Sequence, residues 1–438
     1  MKICIDIQDN EINPALIQKL INSHRMIERL RLQKLENYYI GKQDILDRVV
    51  PEDKPNNKSV TNYCSYITDS LVGFFMGSPV IYNSTDKQYL ALIKDIFNSN
   101  DEQELNIELA RKQSIKGKGF ELLYIDEDSN IRFDVLDTDE VIMVYDTTIE
   151  SVPSMAIRYY TIYDFLNDTE ILKAEVYTKD KIFYYTGNEL TLVNTADHYF
   201  KEVPIIEYYN NIYRLGDFEK IIALQDNYNL TNADVSNELS YFADCYLKLK
   251  GMSGTTDEDI AEMKNNRVLL LEDNAEADFM TKTLSDTVIQ NHRSNIKEDI
   301  HKISYVPDLS QELPANLSGS AIKQKFFNTE QLVIAKERKF SRALKTRIRL
   351  ITNILNLKNG SDFNWKDIEI KFIRNLPINY TEMADSATKL NGILSKRSLI
   401  TLVAGLVGIE DVDAELAEIE KEQNANVDLN NLHTDEGV

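Results

Sequence analysis

Apolar residues recur at three- and four-residue spacings over 13–40, with Leu16, Leu20, Ile27, Leu30, Leu35 and Tyr39 on one stripe, which predicts a helix closed by Gly41. The next apolar block lies in PNNKSVTNYCSYITDSLVGFFMGSPVIY, residues 55–82. Its polar loop leads into a predicted helix with Tyr63, Ile67, Ser70 or Leu71, and Phe74 along one face. Gly77 and Pro79 stop that helix, and Pro79–Tyr82 starts a strand. A third helix is expected over 86–118. From Phe120 to Tyr209 the period changes to two, in the runs FELLYI, IRFDVL, VIMVYD, MAIRYYTIY, LKAEVYT, KIFYYT and IIEYYN. Successive strands after helices indicate an α+β region rather than alternating βαβ units.

Beyond Asp217 the helical period returns. Ile221, Leu224, Tyr228, Val235, Leu239, Phe242, Tyr246 and Leu249 approximate a seven-residue repeat, predicting one helix to Lys250 of roughly 50 Å. An insert, 251–286, reads as a short helix (TTDEDIAEMKN) and a strand (RVLLLED). A second long helix, 286–306, places Ile289, Ile296, Ile300 and Ile303 on one side and Arg293, Lys297 and His301 on a neighbouring stripe. That stripe reads either as a solvated basic face or as a row of cations facing a polyanion. A proline-broken loop, VPDLSQELPANLSGS, precedes a helix to about 357, capped by Ser318 or Ser320. Its inward positions are Phe326, Leu332, Phe340, Leu344, Ile348, Ile351 and Leu355, and its bases are expected outside. A strand at 367–373, a helical C-terminal part from Thr381 and a disordered acidic tail from about Gln423 complete the reading.

Length and composition bound these elements without redirecting them. The 438 residues suggest two to four domains, and 43% apolar content suffices for a core. Ser65, Thr68, Asp69 and Ser70 interrupt the apolar run at 63–76, so it is no membrane anchor, and MKICIDIQDNEINP lacks the apolar centre of a signal peptide. Cys4, Cys64 and Cys245 suggest neither a disulfide framework nor a zinc site, and a reduced, cytoplasmic protein is expected. The net charge of −22 argues against wrapping around nucleic acid, though not against a surface that DNA passes without sticking. Ser320–Leu350 holds nine Lys or Arg against two Glu, whereas Glu410–Val438 holds ten acids and one Lys. This unevenness suggests parts with different tasks.

Signs of chemistry are sparse. No P-loop occurs, and Gly117-Lys118-Gly119 reads as a tight turn into FELLYI rather than a phosphate loop. The five histidines form no metal motif, no nucleophile elbow is present, and the acid pairs Asp126/Asp128 and Asp137/Asp139 sit in turn-like strings. No catalytic residue, metal or cofactor is expected.

Several stretches carry a resemblance. NYYIGKQDIL followed by PNNKSVTNYCSYITDSLVGFFMGSPVIY resembles the N-terminal signature of bacteriophage portal proteins of the type common in tailed phages of Gram-positive hosts. DFEKIIALQDNYNLTNADVSNELSYFADCYLKLKG resembles that family's long helix ending in Leu-x-Leu-Lys-Gly. LSGSAIKQKFF and KLNGILSKRSLITLV…DAELAEIEKE resemble its Ser-Gly-x-Ala helix start and its C-terminal helices, with Arg397-Ser398 where the family often has Glu-Thr. The likeness runs in order along nearly the whole chain.

The resemblance implies an elongated α+β portal subunit, one of a ring, usually of twelve, around a channel at one capsid vertex. The implied parts are a wing (1–212), a stem helix (213–250), a clip (251–285), a second stem helix (286–306), a tunnel loop (307–319), a long wing helix and strand (320–380), a crown (381–422) and the tail (423–438). Implied partners are the terminase large subunit, head-completion or adaptor proteins, capsid and scaffolding proteins, and double-stranded DNA in the channel. No membrane is implied. The implied location is the virion's portal vertex, after assembly in the host cytoplasm. Asp308, Gln311, Glu312 and Asn316 are the expected DNA-facing tunnel-loop residues. Arg293, Lys297, His301 and Lys302 are expected to face either the channel or an acidic neighbouring subunit, and both readings stay open. The run 55–82 is expected as buried wing scaffold. Two other classes compete: a cytoplasmic coiled-coil structural protein without a DNA channel, and a carboxylate-dependent hydrolase, for which no substrate or metal signature is found.

Overall fold

A computed structural model describes residues 2–5, 12–52, 54–243, 247–250, 276–279, 286–309, 319–375, 387–407 and 412–432, with Thr256, Glu258, Asp385 and Ile409 besides. The chain divides into two compact units: Met1–Pro307 with Thr329–Arg374, and Asp308–Asn328 with Asn375–Val438.

In the larger unit, α1 (Pro14–Ser23) is capped by Asn13, whose side chain accepts from Leu16 N at 2.9 Å, and it continues through a π turn, His24–Glu28, into α2 (Arg29–Tyr39). The π turn changes which residues face inward, because it adds a residue to the helical repeat. Ile27 and Leu30, expected inside, are 70% and 61% exposed, while His24, Leu32, Leu35 and Tyr38 are buried. Helix α3 (Tyr63–Met76) forms as expected and buries Ile67, Leu71, Val72, Phe74 and Phe75. Asn62 ties it to α2, accepting from Ser65 N at 3.2 Å and donating to Tyr39 O at 2.7 Å. Strand β2 (Ile81–Asn83) follows.

The single helix expected over 86–118 is two, α4 (Lys87–Asn98) and α5 (Glu102–Lys116), with Asp101 at φ 49° between them. The break is held by Asn100, whose amide nitrogen donates to Ile96 O at 2.7 Å and Ile131 O at 3.1 Å.

Strands β3 (Lys118–Ile125), β4 (Ile131–Leu136), β5 (Val141–Tyr145), β6 (Pro153–Asp164), β7 (Thr169–Tyr177) and β8 (Lys181–Thr186) match the two-residue patterns. Two more were not legible: β1 (Ile3–Cys4) and β9 (Thr191–Asp197), whose TLVNTAD lies almost wholly exposed. Strand β10 is Ile205–Tyr209. One sheet has the order β1-β5-β6-β7-β8-β9, antiparallel except for the β1–β5 pair, and a second has the order β10-β3-β4. Every residue of β5 is buried because both of its faces are covered. Ile142 and Val144 pack with Ile17 and Ile21 of α1, whereas Val141, Met143 and Tyr145 pack with Phe120, Val203 and Ile205. The molecule is α+β, as the alternation predicted.

The helix expected to reach Lys250 is α6 (Ile222–Ala243), about 33 Å at 1.5 Å per residue. Leu247–Lys250 is instead a strand, β11, antiparallel to β12 (Glu276–Phe279). LKLK alternates with period two, and strand pairing satisfies its backbone where the helix reading had only the heptad spacing. Apart from Thr256 and Glu258, the expected short helix and strand of the insert lie outside the described residues. Helix α7 (Asp286–Ser304) closely matches its expectation.

The helix expected from 320 to 357 is interrupted at Phe326, giving α8 (Gly319–Lys325) and α9 (Phe327–Asn359). Strand β13 (Glu369–Lys371) pairs with β2. Within the smaller unit, α10 (Lys396–Val407) and α11 (Val412–Leu432) are joined by an Arg397–Asp413 ion pair at 3.0 Å. Helix α11 runs ten residues past Glu422, so the tail expected to be disordered from Gln423 is helical to Leu432.

Candidate functional site

The helix pair α6 and α7 and the loops docked on it form the part that fold class alone does not explain. On α6 an inward row of Gln225, Asn229, Ala233 and Asn237, each four residues on from the last, joins the expected stripe, of which Ile221 and Tyr228 are buried and Leu224 and Val235 half-buried. Leu239 is 63% exposed and Leu230 42%. The amides of this row hold the 55–63 segment by its backbone. Gln225 accepts from Tyr63 N at 3.1 Å and donates to Thr61 O at 2.7 Å. Asn229 accepts from Thr61 N at 3.0 Å, and Asn237 accepts from Asn57 N at 2.7 Å. Arg48 and Asp234 add an ion pair at 2.8 Å. The Pro55-Asn56-Asn57-Lys58 loop is therefore a strap bound to α6, and the apolar helix behind it is buried scaffold.

Helix α7 faces the same place. Its Ile296 and Ile300 are buried, but Ile303, expected inside, is 41% exposed. The basic stripe turns partly toward its own chain. The Arg293 guanidinium lies 5.9 Å from the Tyr228 ring centroid, and although burial works against ionisation, Arg293 holds the Tyr228 hydroxyl below its ordinary pKa. His301 sits edge-on to Tyr63 and Tyr66, each at 5.7 Å between centroids, with Nδ1 3.0 Å from Val306 O. Lys297 is half-buried and Lys302 exposed.

Past α7, Tyr66 Oη donates to Pro307 O at 3.0 Å, and Thr329 at the start of α9 donates to Tyr305 O. The chain thus leaves at Pro307 and is back by Thr329 at a point pinned to where it left. Of the expected tunnel-loop residues Asp308 is half-buried, and Gln311, Glu312 and Asn316 lie outside the described residues.

The linker into α6 is fixed with equal care. Asn210 N donates to Gly117 O at 2.9 Å and Asp217 N to Ser114 O at 2.8 Å. A Cβ on Gly117, at φ +77°, would fall 2.0 Å from Arg214 O, so only glycine admits this crossing. Asp217 also takes the Ser114 hydroxyl at 2.6 Å and pairs with Lys336 of α9, both partners 3% exposed.

The bases of α9, expected outside, are therefore in part interior. Arg347 is fully buried. It donates to Glu121, to Glu102 at 3.0 Å and to Asn106 at 2.9 Å, with the Phe133 ring 4.7 Å away. Tyr208 donates to Glu121 at 2.9 Å and Tyr82 to Glu102. Burial pushes the Glu102 carboxyl up in spite of Arg347, and its Oε2 is buried without a hydrogen-bond partner among the described residues. This cluster joins β2, α5, β3, β10 and α9. Among the described residues no group of His, Cys, Asp or Glu is arranged to hold a metal, and no helix is long and apolar enough to cross a membrane.

Relatives define a class first. The chain is 24% identical to the portal protein of Bacillus phage SPP1 over 98% of this chain and 90% of that one. It is 24% identical to the portal protein of Clostridium phage phiCD119 (strain Clostridium difficile/United States/Govind/2006), over 92% and 96%. The family follows: residues 18–428 match the family described as phage portal protein, SPP1 Gp6-like, and the chain belongs to it. Among solved structures, the neck of an empty gene transfer agent particle computed with C6 symmetry superposes with a TM-score of 0.49 at 14% identity, covering 78% of this chain and 89% of that one.

Proposed function

We propose that the protein forms a closed ring at one capsid vertex, the channel for packaging and ejecting double-stranded DNA and the dock for terminase and head-completion proteins. Family membership across 18–428 carries this reading. The paired α6 and α7 serve as the stem, the β11–β12 ribbon with the insert between them as the clip, and the segment pinned at Pro307 and Thr329 as the tunnel loop. Residues 1–212 with α9 and β13 form the wing, and α10 and α11 the crown. The pinning suits a loop that must project without loosening its base, and Asp308, Gln311, Glu312 and Asn316 are its proposed DNA-facing positions. The acid excess denies passing phosphates a deep minimum. Lys302, exposed at the end of α7, is the stem cation best placed to face outward, with Arg293, Lys297 and His301 behind it.

Negative-stain electron microscopy of the purified protein, with rotational analysis of end-on views, tests the ring. Closed rings with a central hole support it, and solid dimers with a rod-like coil overturn it in favour of a coiled-coil structural protein.

A further inference from the structure

A cavity of about 690 Å³ opens in the larger unit between the basic face of α9 and the β10 side of the sheet. Lys339, Arg342 and Lys345 line one wall, and Val152, Ile212 and Trp365 contribute exposed apolar surface. Of the three glutamates in the lining, Glu202 is paired with Arg349 at 2.6 Å and Glu207 with Arg214 at 2.6 Å, while Glu150 is exposed. Lys339, Arg342 and Lys345 have no carboxylate partner among the described residues, and Arg342 and Lys345 are exposed. With Lys2, which also lines the cavity, four such cations stand against one unpaired acid, Glu150, an excess that stands out in a chain of net charge −22. Elsewhere on α9, Lys336 pairs with Asp217, Arg347 with Glu121 and Glu102, and Arg349 with Glu202, while Arg338 is exposed.

We propose that this groove docks an acidic peptide segment of a partner protein, its carboxylates on Lys339, Arg342 and Lys345 and its apolar side chains on Val152, Ile212 and Trp365. Charge complementarity selects an acidic occupant. The apolar surface selects a peptide over a bare polyanion, since it rewards burial of aliphatic side chains that nucleic acid lacks. The groove belongs to a single chain, so its failure would leave the ring reading untouched.

Trp365 is the only tryptophan in the chain and reports occupancy directly. The full-length protein is titrated at low salt with a synthetic peptide in which Glu alternates with Leu or Val, following Trp365 emission. A saturable change is expected, weakened at least tenfold in Arg342→Glu/Lys345→Glu with an unchanged circular dichroism spectrum. Should charge reversal prevent folding, Arg342→Gln/Lys345→Gln is expected to weaken binding in the same direction. No saturable change, or an equal response from the variants, overturns the proposal. An equal response to duplex DNA or inorganic phosphate overturns it in favour of a phosphate site. A concentration-dependent change in the protein alone, lost in the variants, overturns it in favour of a second copy as occupant.

Discussion

Arg347 faces two carboxylates in a dry interior, Glu121 through two hydrogen bonds and Glu102 through one. Burial raises the Glu102 carboxyl above its ordinary pKa against the pull of Arg347. Glu102→Gln removes the lesser part of this contact and should cost less than Glu121→Gln or than Arg347→Met, which strands buried carboxylates at a cost of about 3–5 kcal/mol. Urea denaturation measures all three, and equal costs for the two glutamines would refute that order. His24 sets a second test. Burial lowers it to about 4, so it is neutral in the folded chain, with Nδ1 2.8 Å from the Tyr159 hydroxyl. The unfolded chain binds the extra proton first as pH falls, so stability is full above about 6.5 and lost progressively down to about 4. The loss is bounded at about 3 kcal/mol. The difference in stability between wild type and His24→Gln should carry this slope between those pH values and flatten on either side.

Helices and strands were legible in the sequence wherever one period ran uninterrupted, as in α3, α7 and β3 to β8. The misses on α6 and α9 share a cause: a polar residue placed on an inward row. Arg347 falls in step with Phe340, Leu344, Ile351 and Ile354, and Lys336 with Val333 and Phe340, so spacing put both inside while residue type suggested outside. On α6 the same conflict runs further, since Gln225, Asn229 and Asn237 form a buried row and the apolar Leu239 faces out. Their partners are backbone groups of the 55–63 segment, over 160 residues away, and no local pattern reveals them. The strap gives a clear prediction. Asn237→Ala leaves Asn57 N–H without its acceptor and should cost about 1–2 kcal/mol. Amide exchange should quicken at Asn57 and Lys58 while the α3 core stays protected. Gly117→Ala, whose Cβ would collide with backbone, should cost more than Gly187→Ala, where nothing lies within 4 Å although φ is also +77°.

At the scale of the proposed ring, two opposing terms decide whether subunits associate. Each chain carries −22, so copies repel at low salt, and the repulsion is long-ranged because the screening length is about 30 Å at 0.01 M but about 3 Å at 1 M. Against this stand apolar side chains that the single chain leaves uncovered on the helix pair: Leu230 and Leu239 on α6 at 42% and 63%, Val288 and Ile303 on α7 at 65% and 41%. Burying such residues between copies gains about 25 cal/mol per Å², and salt does not screen that gain. If contact is apolar and charge only opposes it, raising salt from about 0.05 to 0.5 M should shift the protein toward rings. Leu239→Glu and Val288→Glu should block assembly while leaving the melting temperature of the monomer within about 2 °C, since neither side chain is packed in the single chain. Sedimentation velocity across a salt series reads both effects. Rings that dissociate as salt rises would instead assign the contact to ion pairs between Lys297 or Lys302 and a neighbour's acids. Lys302→Gln should then mimic high salt where Leu239→Glu has no effect.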